Sequence, residues 1–289
     1  MPRWWYYYWV SITIVKADGS SEYFKVEKLR RSLRRAGAST DEISTVITDV
    51  EAHLHERMTT QEIYRYAFEQ LRHYAASTAA RYSLRRALFG LGPTGFPFEA
   101  FLARLFTAEG YEVRTGITLS GKCVDHEIDV AAFDATSSFI AEAKFHSRPG
   151  IKSDLQVAMY SYARFLDLQQ QRICTEDHCG INSFWIITNT KFTSSAERYA
   201  LCSGLQLLSW DYPKRNNLHD RIQRSGLYPI TVLRSLTTKQ TSMLIERGVI
   251  VCQDIIDRPS LLRHLHLSTK KTESLLAEAN ALRQTDFSK

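Results

Sequence analysis

The sequence has no apolar run long enough to cross a membrane. Its start, MPRWWYYYWVSITIV, is apolar and aromatic, but it covers about fifteen residues, whereas a spanning helix needs about 20. No small-residue cleavage site follows, which argues against a secretory signal peptide. The end of this stretch predicts a strand. The aromatic run before it is a packing segment, a membrane-surface segment or the result of a misplaced start codon, and the sequence leaves these alternatives open.

Several catalytic motifs are also missing. There is no GxxxxGK[ST], so a nucleotide site here is not that of a P-loop motor. There is no GxSxG elbow for an acyl hydrolase and no HExxH for a zinc protease. The chain is otherwise ordinary for a folded protein, with 44% hydrophobic and 24% charged residues, and its 289 residues allow two or three domains.

Cysteine is scarce and its count of five is odd. Without a secretory signal, this usage favours a reducing cytoplasm over a disulfide-stapled secreted protein. The stretch CTEDHC, residues 174–179, resembles half of a zinc site. No second CxxC-like pair follows at usable spacing, so structural zinc is not the favoured interpretation.

Charge is distributed unevenly along the chain. Residues 1–95 carry 14 Lys and Arg against 10 Asp and Glu, and residues 216–289 carry 11 against 7. The centre, residues 96–215, is mildly acidic, with 12 against 14. Basic flanks around an acidic centre suit a polyanionic partner and a cation-binding middle, although ordinary surface charge explains the pattern equally well.

The first segment predicts two short strands followed by helices. An alternating run, a turn at Asp18–Gly19 and a second short strand lead into a helix from near Val26 to about Gly37. Further amphipathic helices are predicted in STDEISTVITDVEAHLHERM, TTQEIYRYAFEQLRHY and ASTAARYSLRRALFGL. The stretch GLGPTGFP, residues 90–97, is dense in glycine and proline and predicts a domain boundary.

The stretch VKADGSSEYFKVEKL resembles the ATP-cone, a nucleotide-binding regulatory domain found at the head of many ribonucleotide reductases and in their transcriptional repressor. The resemblance covers about residues 12–90 and departs from the family at Ala17 and Tyr64, where Arg and His are common. It implies ATP or dATP as a regulatory ligand and a homo-oligomer, dimer or larger. The residues that match the family's nucleotide site are Lys16, Asp18, Gly19, Glu22, Lys28 and Thr60.

Two lysines among these suit the same role on physical grounds. Lys16 and Lys28 can supply point charges for a triphosphate, and the neighbouring LRRSLRR adds four arginines. The alternative is a basic helix that only faces solvent.

The middle segment predicts an α/β core with a mixed sheet, because strands alternate with helices over residues 97–215. Within it, Asp129 lies on one predicted strand, and Glu142 and Lys144 lie on the next. Residues two apart on a strand share a face, and the short connection DATSS makes the two strands a hairpin that can bring Asp129 opposite Glu142. Charged side chains on strands that are predicted to be buried are energetically costly unless they are paired or bound to a metal.

Two converging carboxylates and an ammonium favour a divalent cation and a phosphate substrate. Hard oxygen ligands select Mg²⁺ or Mn²⁺, so Asp129 and Glu142 are the predicted metal ligands. Lys144 would assist an attacking water or stabilise negative charge in the transition state.

This pattern resembles the PD-(D/E)xK nuclease superfamily, and more narrowly its Mrr-like restriction endonucleases. The resemblance covers about residues 97–210 and adds Glu99 of the first helix to the predicted active site. It also adds Gln156, with Tyr160 four residues on, since positions four apart lie on one helical face. It implies a restriction-endonuclease-like fold and cleavage of DNA. The alternative is an α/β domain with surface charges that has lost catalysis.

Two histidines flank the predicted site. His126 and His146 could contact phosphate or a second metal, or donate a proton. His146 shares a strand face with Lys144 and is the better candidate.

The C-terminal segment, residues 216–289, predicts a run of short helices that resembles helix-hairpin-helix DNA-binding modules. A helix start at Ser268 would offer backbone N–H groups, with Lys270 and Lys271, to DNA phosphates. Helical modules that only contact proteins have a similar pattern, so this alternative stays open.

The sequence therefore predicts three domains: an ATP-cone at 11–90, a nuclease domain at 97–215 and a helical module at 216–289. The predicted function is metal-dependent DNA cleavage in prokaryotic restriction or defence, regulated by an adenine nucleotide, in a cytoplasmic protein without a membrane span. The alternative is a nucleotide-sensing DNA-binding regulator that does not cleave, and an RNA substrate is a third possibility.

Overall fold

The computed structural model describes residues 12–173 and 180–283. The aromatic start of the chain and the zinc half-site considered at 174–179 lie outside these residues. The chain divides into two compact units, with the division between Tyr82 and Ser83.

The first unit begins with a hairpin and continues as helices. Strands β1 (Thr13–Val15) and β2 (Ser21–Tyr23) pair antiparallel, and Gly19 in their turn has a φ of 80°, which glycine adopts without steric cost. The helices are α1 (Val26–Arg35), α2 (Thr40–His53), α3 (Thr60–Tyr74) and α4 (Ala76–Tyr82). Capping boxes at Ser39 and Thr59 start α2 and α3, and the apolar faces of α1, α2 and α3 share one buried cluster.

The structure splits a helix that the sequence predicts as continuous. Helix α4 ends at Tyr82, and α5 (Leu84–Phe89) begins in the second unit. Ala79 of α4 packs in the core of the first unit, whereas the Ala87 carbonyl of α5 accepts a hydrogen bond from Thr231 Oγ1 at 2.7 Å. The two halves pack into different hydrophobic cores. The boundary between the two units therefore lies before the glycine- and proline-rich stretch at 90–97.

The second unit is built on a mixed sheet. In the described part of the chain the sheet has five strands in the order β3-β4-β5-β7-β9. Pairing is antiparallel from β3 to β5 and parallel from β5 to β9. The strands are β3 (Glu112–Ser120), β4 (Asp125–Phe133), β5 (Ser138–Lys144), β7 (Ser183–Thr188) and β9 (Gln206–Leu208). This confirms the predicted mixed α/β architecture.

Helices cover both faces of the sheet. On one face, α6 (Phe96–Ala108) packs Phe106 edge-on against Phe139 of β5. On the other, α7 (Leu155–Leu168) and α8 (Ser194–Ser203) place Ala158 and Ala196 in the cluster that includes Ile140 and Phe184. The short strands β6 (Lys152–Ser153) and β8 (Lys191–Phe192) pair in parallel beside the sheet.

Short helices complete the second unit. They are α9 (Leu218–Ser225), α10 (Thr238–Ile245), α11 (Cys252–Asp257) and α12 (Thr269–Arg283), with 3₁₀ turns at Ile230–Val232 and Pro259–Leu265. Arg104 of α6 approaches buried Asp254 of α11 to 3.4 Å, so this helical segment contacts the helix that packs on the sheet. Within residues 12–173 and 180–283, no helix combines the length and the apolar character that a bilayer crossing requires.

Candidate active site

The hairpin of β4 and β5 brings the predicted carboxylates together. Val130 pairs with Ala141 at the end of the ladder, and one further step in this register places Asp129 opposite Glu142. Asp129 Oδ2 accepts a hydrogen bond from the backbone N–H of Ala143 at 2.7 Å. The carboxylate of Asp129 is thereby held against the strand that carries Glu142 and Lys144.

Glu142 is buried and engaged by two cations. The Lys144 ammonium donates to its Oε1, and the Arg164 guanidinium donates to its Oε2. Its side chain is 8% exposed, and that of Arg164 is 7% exposed. A buried carboxylate is tolerated when it is paired in this way.

The site contains several carboxyl groups that affect one another's pKa. Burial, and next Asp129, Glu127 and Glu142, raise the pKa of Glu99 on α6 from 4.5 to about 7, while Lys144 opposes the shift. Burial, and next Glu142, also raise the pKa of Asp129, against the effect of its bond from Ala143. A cation placed among such carboxylates would favour their charged forms.

Helix α7 contributes Arg164 to this cluster. Its N-cap is Asp154, whose carboxylate accepts from the backbone N–H groups of Gln156 and Val157. Ser153, the residue before it, is buried in β6. The Gln156 side chain lies exposed on the first turn, and the Tyr160 ring lies 5.5 Å from the guanidinium carbon of Arg164.

The two flanking histidines have different surroundings. His146 Nε2 lies 3.2 Å from Ser153 Oγ, and burial, together with Lys144, lowers its pKa. His126 Nε2 lies 2.8 Å from Asp167 Oδ2. Asp167 also accepts from the backbone N–H groups of Cys123 and Val124, so His126 belongs to a clamp that closes the β3–β4 turn. A contact between His126 and phosphate stays a prediction.

The donor set of the site suits a hard cation. The described residues contain no group of three or more His, Cys, Asp or Glu side chains arranged to hold a metal. Asp129 and Glu142 supply oxygen donors, and their negative charges contribute to the raised pKa of Glu99. Magnesium is often held by one or two carboxylates, with water and substrate phosphate as its other ligands, so the chemistry of the residues fits Mg²⁺ or Mn²⁺.

Two residues of the site were missed by sequence reasoning. Glu127 lies two residues before Asp129 and so shares its strand face, a pattern visible in the sequence. Arg164 extends the four-residue spacing of Gln156 and Tyr160 by one more turn, but nothing in the sequence shows that its charge is buried.

The residues predicted to bind nucleotide cluster in the first unit. Lys28 Nζ lies 2.7 Å from both carboxylate oxygens of Glu22, and this bond, with smaller effects of Lys16 and Lys25, lowers the pKa of Glu22. Asp18 accepts from the N–H and hydroxyl of Ser20, which fixes the turn around Gly19.

The start of α3 lies beside this hairpin. Val15 of β1 bridges Thr59, and Val15 N–H donates to the Met58 carbonyl at 3.0 Å. Thr60, the first residue of α3, therefore lies near the end of β1 that leads to Lys16. A helix N-terminus beside lysines is favourable for phosphate.

The predicted DNA-contacting lysines lie at another helix start. Lys270 and Lys271 are exposed in the first turn of α12, where Lys271 N–H donates to Ser268 Oγ at 3.4 Å. Arg263 and His266 line a neighbouring cavity of about 420 Å³.

Two family models match the chain. The ATP cone domain matches residues 12–88, and the model described as AF1548-like, C-terminal, matches residues 228–283. The first match confirms the predicted ATP-cone and supports an adenine nucleotide as its regulatory ligand. The assignment of residues 97–215 to a nuclease family stays a prediction.

Curated relatives agree with this division. Two transcriptional repressors NrdR, from Crocosphaera subtropica and Rippkaea orientalis, are each 38% identical over 71 residues, or 22% of this chain. The matched part is 38% and 40% of those proteins.

Similarity over a longer stretch relates the chain to an archaeal protein. An uncharacterized protein of Archaeoglobus fulgidus is 37% identical over 179 residues, which are 62% of this chain and 97% of that protein. A crystal structure described as the protein of unknown function AF1548 is 35% identical, with a TM-score of 0.54, and the match covers 66% of this chain and 98% of that one. The chain therefore belongs to the AF1548-like family and carries an ATP-cone domain at residues 12–88.

Proposed function

We propose that the second unit is a metal-dependent DNA endonuclease and that an adenine nucleotide bound by the ATP-cone regulates it. The observation that carries the proposal is the convergence of Asp129, Glu142 and Lys144 on two adjacent strands, with Asp129 bonded to the residue between the other two. Such a set of charges is costly to bury, and a divalent cation with a phosphate substrate accounts for it.

Each residue has a role in this proposal. Asp129 and Glu142 hold the cation through carboxylate oxygens, and Glu99 adds a third carboxyl group to the site. When bound, Mg²⁺ polarises the phosphate and lowers the pKa of the attacking water. Lys144 Nζ donates a hydrogen bond to Glu142 Oε1. It orients the water and stabilises negative charge that develops on the phosphate. Gln156 and Tyr160 border the site from α7.

The proposal extends to partners. Lys270 and Lys271 would contact the DNA backbone, where phosphate contacts give affinity and register but not sequence readout. A double-strand cut needs two active sites, so a homo-oligomer, which size-exclusion chromatography with light scattering would detect, belongs to the proposal.

The test is cleavage of supercoiled plasmid with Mg²⁺, with and without ATP or dATP, on methylated and unmethylated DNA. Wild type should nick or linearise the plasmid, and Glu142→Gln and Lys144→Met should lower the rate by about 100-fold or more. Glu112→Gln is the matched control, because Glu112 is an exposed carboxylate on edge strand β3 of the same sheet. Intact plasmid in every condition, or equal cutting by Glu142→Gln, would sink the proposal, and a parallel RNA arm identifies an RNA substrate.

A second candidate is a nucleotide-sensing DNA-binding regulator that does not cleave. It is supported by the similarity of 71 residues to two transcriptional repressors, and the comparisons favour it more directly than they favour a nuclease. It assigns no role to the convergence of Asp129, Glu142 and Lys144. Binding of a labelled duplex that changes with ATP or dATP, without cleavage in Mg²⁺ or Mn²⁺, would favour this candidate.

A further inference from the structure

Arg164 of α7 is buried beside the carboxylate cluster. It is 6% exposed, and its guanidinium carbon lies 5.5 Å from the Tyr160 ring centre and 6.0 Å from that of Phe184. An arginine in the middle of a helix is usually exposed. Its burial at this position therefore needs a reason in its contacts.

The contacts of Arg164 join two strands. One terminal nitrogen donates to Glu142 Oε2 on β5, and the other donates to the backbone carbonyl of Glu127 on β4. Lys144 takes the other oxygen, Oε1. Each oxygen of Glu142 is therefore assigned to a different cation, and only Lys144, with a side chain 35% exposed, faces outward.

The chemistry of guanidinium explains why arginine is present. Its planar fork donates in two fixed directions at once, whereas a lysine ammonium on a flexible stem is a single point charge. The Arg164 Nε is buried and has no hydrogen-bond partner among residues 12–173 and 180–283. A buried donor without a partner lowers the stability of the folded state. The position of the Arg164 side chain therefore satisfies the two terminal nitrogens and leaves Nε unpaired.

We propose that Arg164 is a positioning residue for Glu142, an inference that rests on the proposed function. By holding Oε2 and tying it to the backbone of β4, Arg164 fixes the rotation of the carboxylate, so that Oε1 is the oxygen presented to Lys144 and to a divalent cation. Carboxylate ligands of metals are commonly held by such outer hydrogen bonds, whose loss typically lowers metal affinity or activity by about 10- to 100-fold.

The same unit contains a buried ion pair that serves as a matched control. Arg221 of α9 donates to Glu109 at 2.6 Å and stacks near Phe106 and Trp185. Both arginines are buried helical residues with one carboxylate partner and two aromatic neighbours. In the described part of the chain, the side chain of Arg221 contacts Glu109 and the Asn216 carbonyl rather than the carboxylate cluster.

The experiment compares wild type with Arg164→Met, Arg164→Lys and Arg221→Met in the full-length protein. The first readout is Mn²⁺ binding without DNA, from the electron paramagnetic resonance signal of free Mn²⁺. The second is the Mg²⁺ dependence of plasmid cleavage, separated into the maximal rate and the half-saturating concentration. Circular dichroism and thermal unfolding monitor the fold.

We expect Arg164→Met to weaken Mn²⁺ binding by about 10- to 100-fold and to raise the half-saturating Mg²⁺ concentration. Arg164→Lys should recover part of the loss, and it carries the comparison if the Met variant does not fold. Arg221→Met should lose thermal stability while Mn²⁺ affinity stays at the wild-type value.

Two outcomes would overturn the inference, and they differ from each other. If wild type binds Mn²⁺ and cuts DNA but Arg164→Met and Arg164→Lys bind Mn²⁺ as tightly as wild type, the positioning role is wrong and the nuclease stands. If wild type neither binds Mn²⁺ nor cuts DNA, the proposed function fails and the positioning role falls with it.

Discussion

The carboxylate of Asp129 accepts a hydrogen bond from the backbone N–H of Ala143, at 2.7 Å. Ala143 is the residue between Glu142 and Lys144, so the bond fixes the first carboxylate against the strand that carries the other two charges. The interaction combines an ionised acceptor with a backbone donor, which makes it stronger than a neutral hydrogen bond. It therefore defines the geometry on which the proposed chemistry depends.

Asp129→Asn should abolish most cleavage without unfolding the protein. The amide oxygen can still accept from Ala143, but the negative charge that would hold a cation is gone, so the rate should fall by on the order of 100-fold. Plasmid cleavage in Mg²⁺ measures the effect. Asp125→Asn, an exposed residue at the start of the same strand, is the control; an equal loss in that variant would contradict the assignment.

Glu99→Gln should stabilise the protein at alkaline pH in EDTA. The pKa of Glu99 is about 7 in the folded state against an ordinary 4.5, so the folded state keeps a proton that the unfolded state has released. Stability then falls as pH rises from about 4.5 through 7, a cost that glutamine avoids.

Thermal unfolding at pH 4 and pH 8 measures this effect of Glu99→Gln. The two proteins should melt together at pH 4, and the variant should melt higher at pH 8. Glu112→Gln should show no such gain. A Glu99→Gln variant that melts lower than wild type at pH 8 would contradict the like-charge crowding around this residue.

Asp167→Asn should destabilise the protein at neutral pH. The bond from the His126 ring, and next that from the Cys123 thiol, lower the pKa of Asp167 from 3.8 to about 2. A depressed carboxyl pKa contributes stability above the unfolded value that is lost as pH falls through the folded value. The gap between variant and wild type should therefore close between about pH 4 and pH 2. Urea unfolding at pH 7 and pH 3 tests this, with Asp125→Asn as the control.

Lys16→Ala combined with Lys28→Ala should remove most of the calorimetric heat of ATP binding. Loss of a hydrogen bond to a charged group costs about 1.5–3 kcal/mol, so affinity should fall by about 10-fold or more for each lysine. Arg72→Ala is the control, since Arg72 is exposed in the last turn of α3, far from Thr60. Unchanged ATP binding by the double variant would show that these lysines do not contact nucleotide.

Lys270→Ala combined with Lys271→Ala should weaken duplex binding uniformly across sequences. Each lost phosphate contact should reduce the slope of log affinity against log salt by about 1. Fluorescence anisotropy at several salt concentrations measures the slope. Lys239→Ala, an exposed lysine at the start of α10, should leave it unchanged. Equal slopes for all three proteins would place the DNA contacts elsewhere.

Much of the site could be predicted because strand geometry is strict. The two-residue period of β5 places Glu142 and Lys144 on one face, and the short loop to β4 sets the register that brings Asp129 to them. The ATP-cone hairpin was predictable for the same reason, since Asp18–Gly19 leaves few possible turns.

The remaining features depend on tertiary packing. Arg164 has the residue type of a solvent-exposed position, and its burial depends on its contacts with Glu142 and the Glu127 carbonyl. The predicted helix breaks at Ser83 because its two halves pack into different hydrophobic cores. The local sequence does not show which core each half joins. At α7, Asp154 and Ser153 are both acceptable N-caps by residue type; pairing of Ser153 in β6 leaves Asp154 to cap the helix.

The central position of β5 has a consequence for how the site can respond to a ligand. This strand is paired antiparallel on one side and parallel on the other, and six of its seven residues are buried. Its amides should be among the slowest in the protein to exchange with deuterated solvent, because their exchange requires opening of the sheet. The backbone that carries Glu142 and Lys144 is thus a fixed reference, and adjustment to a ligand falls to rotations of the side chains around it.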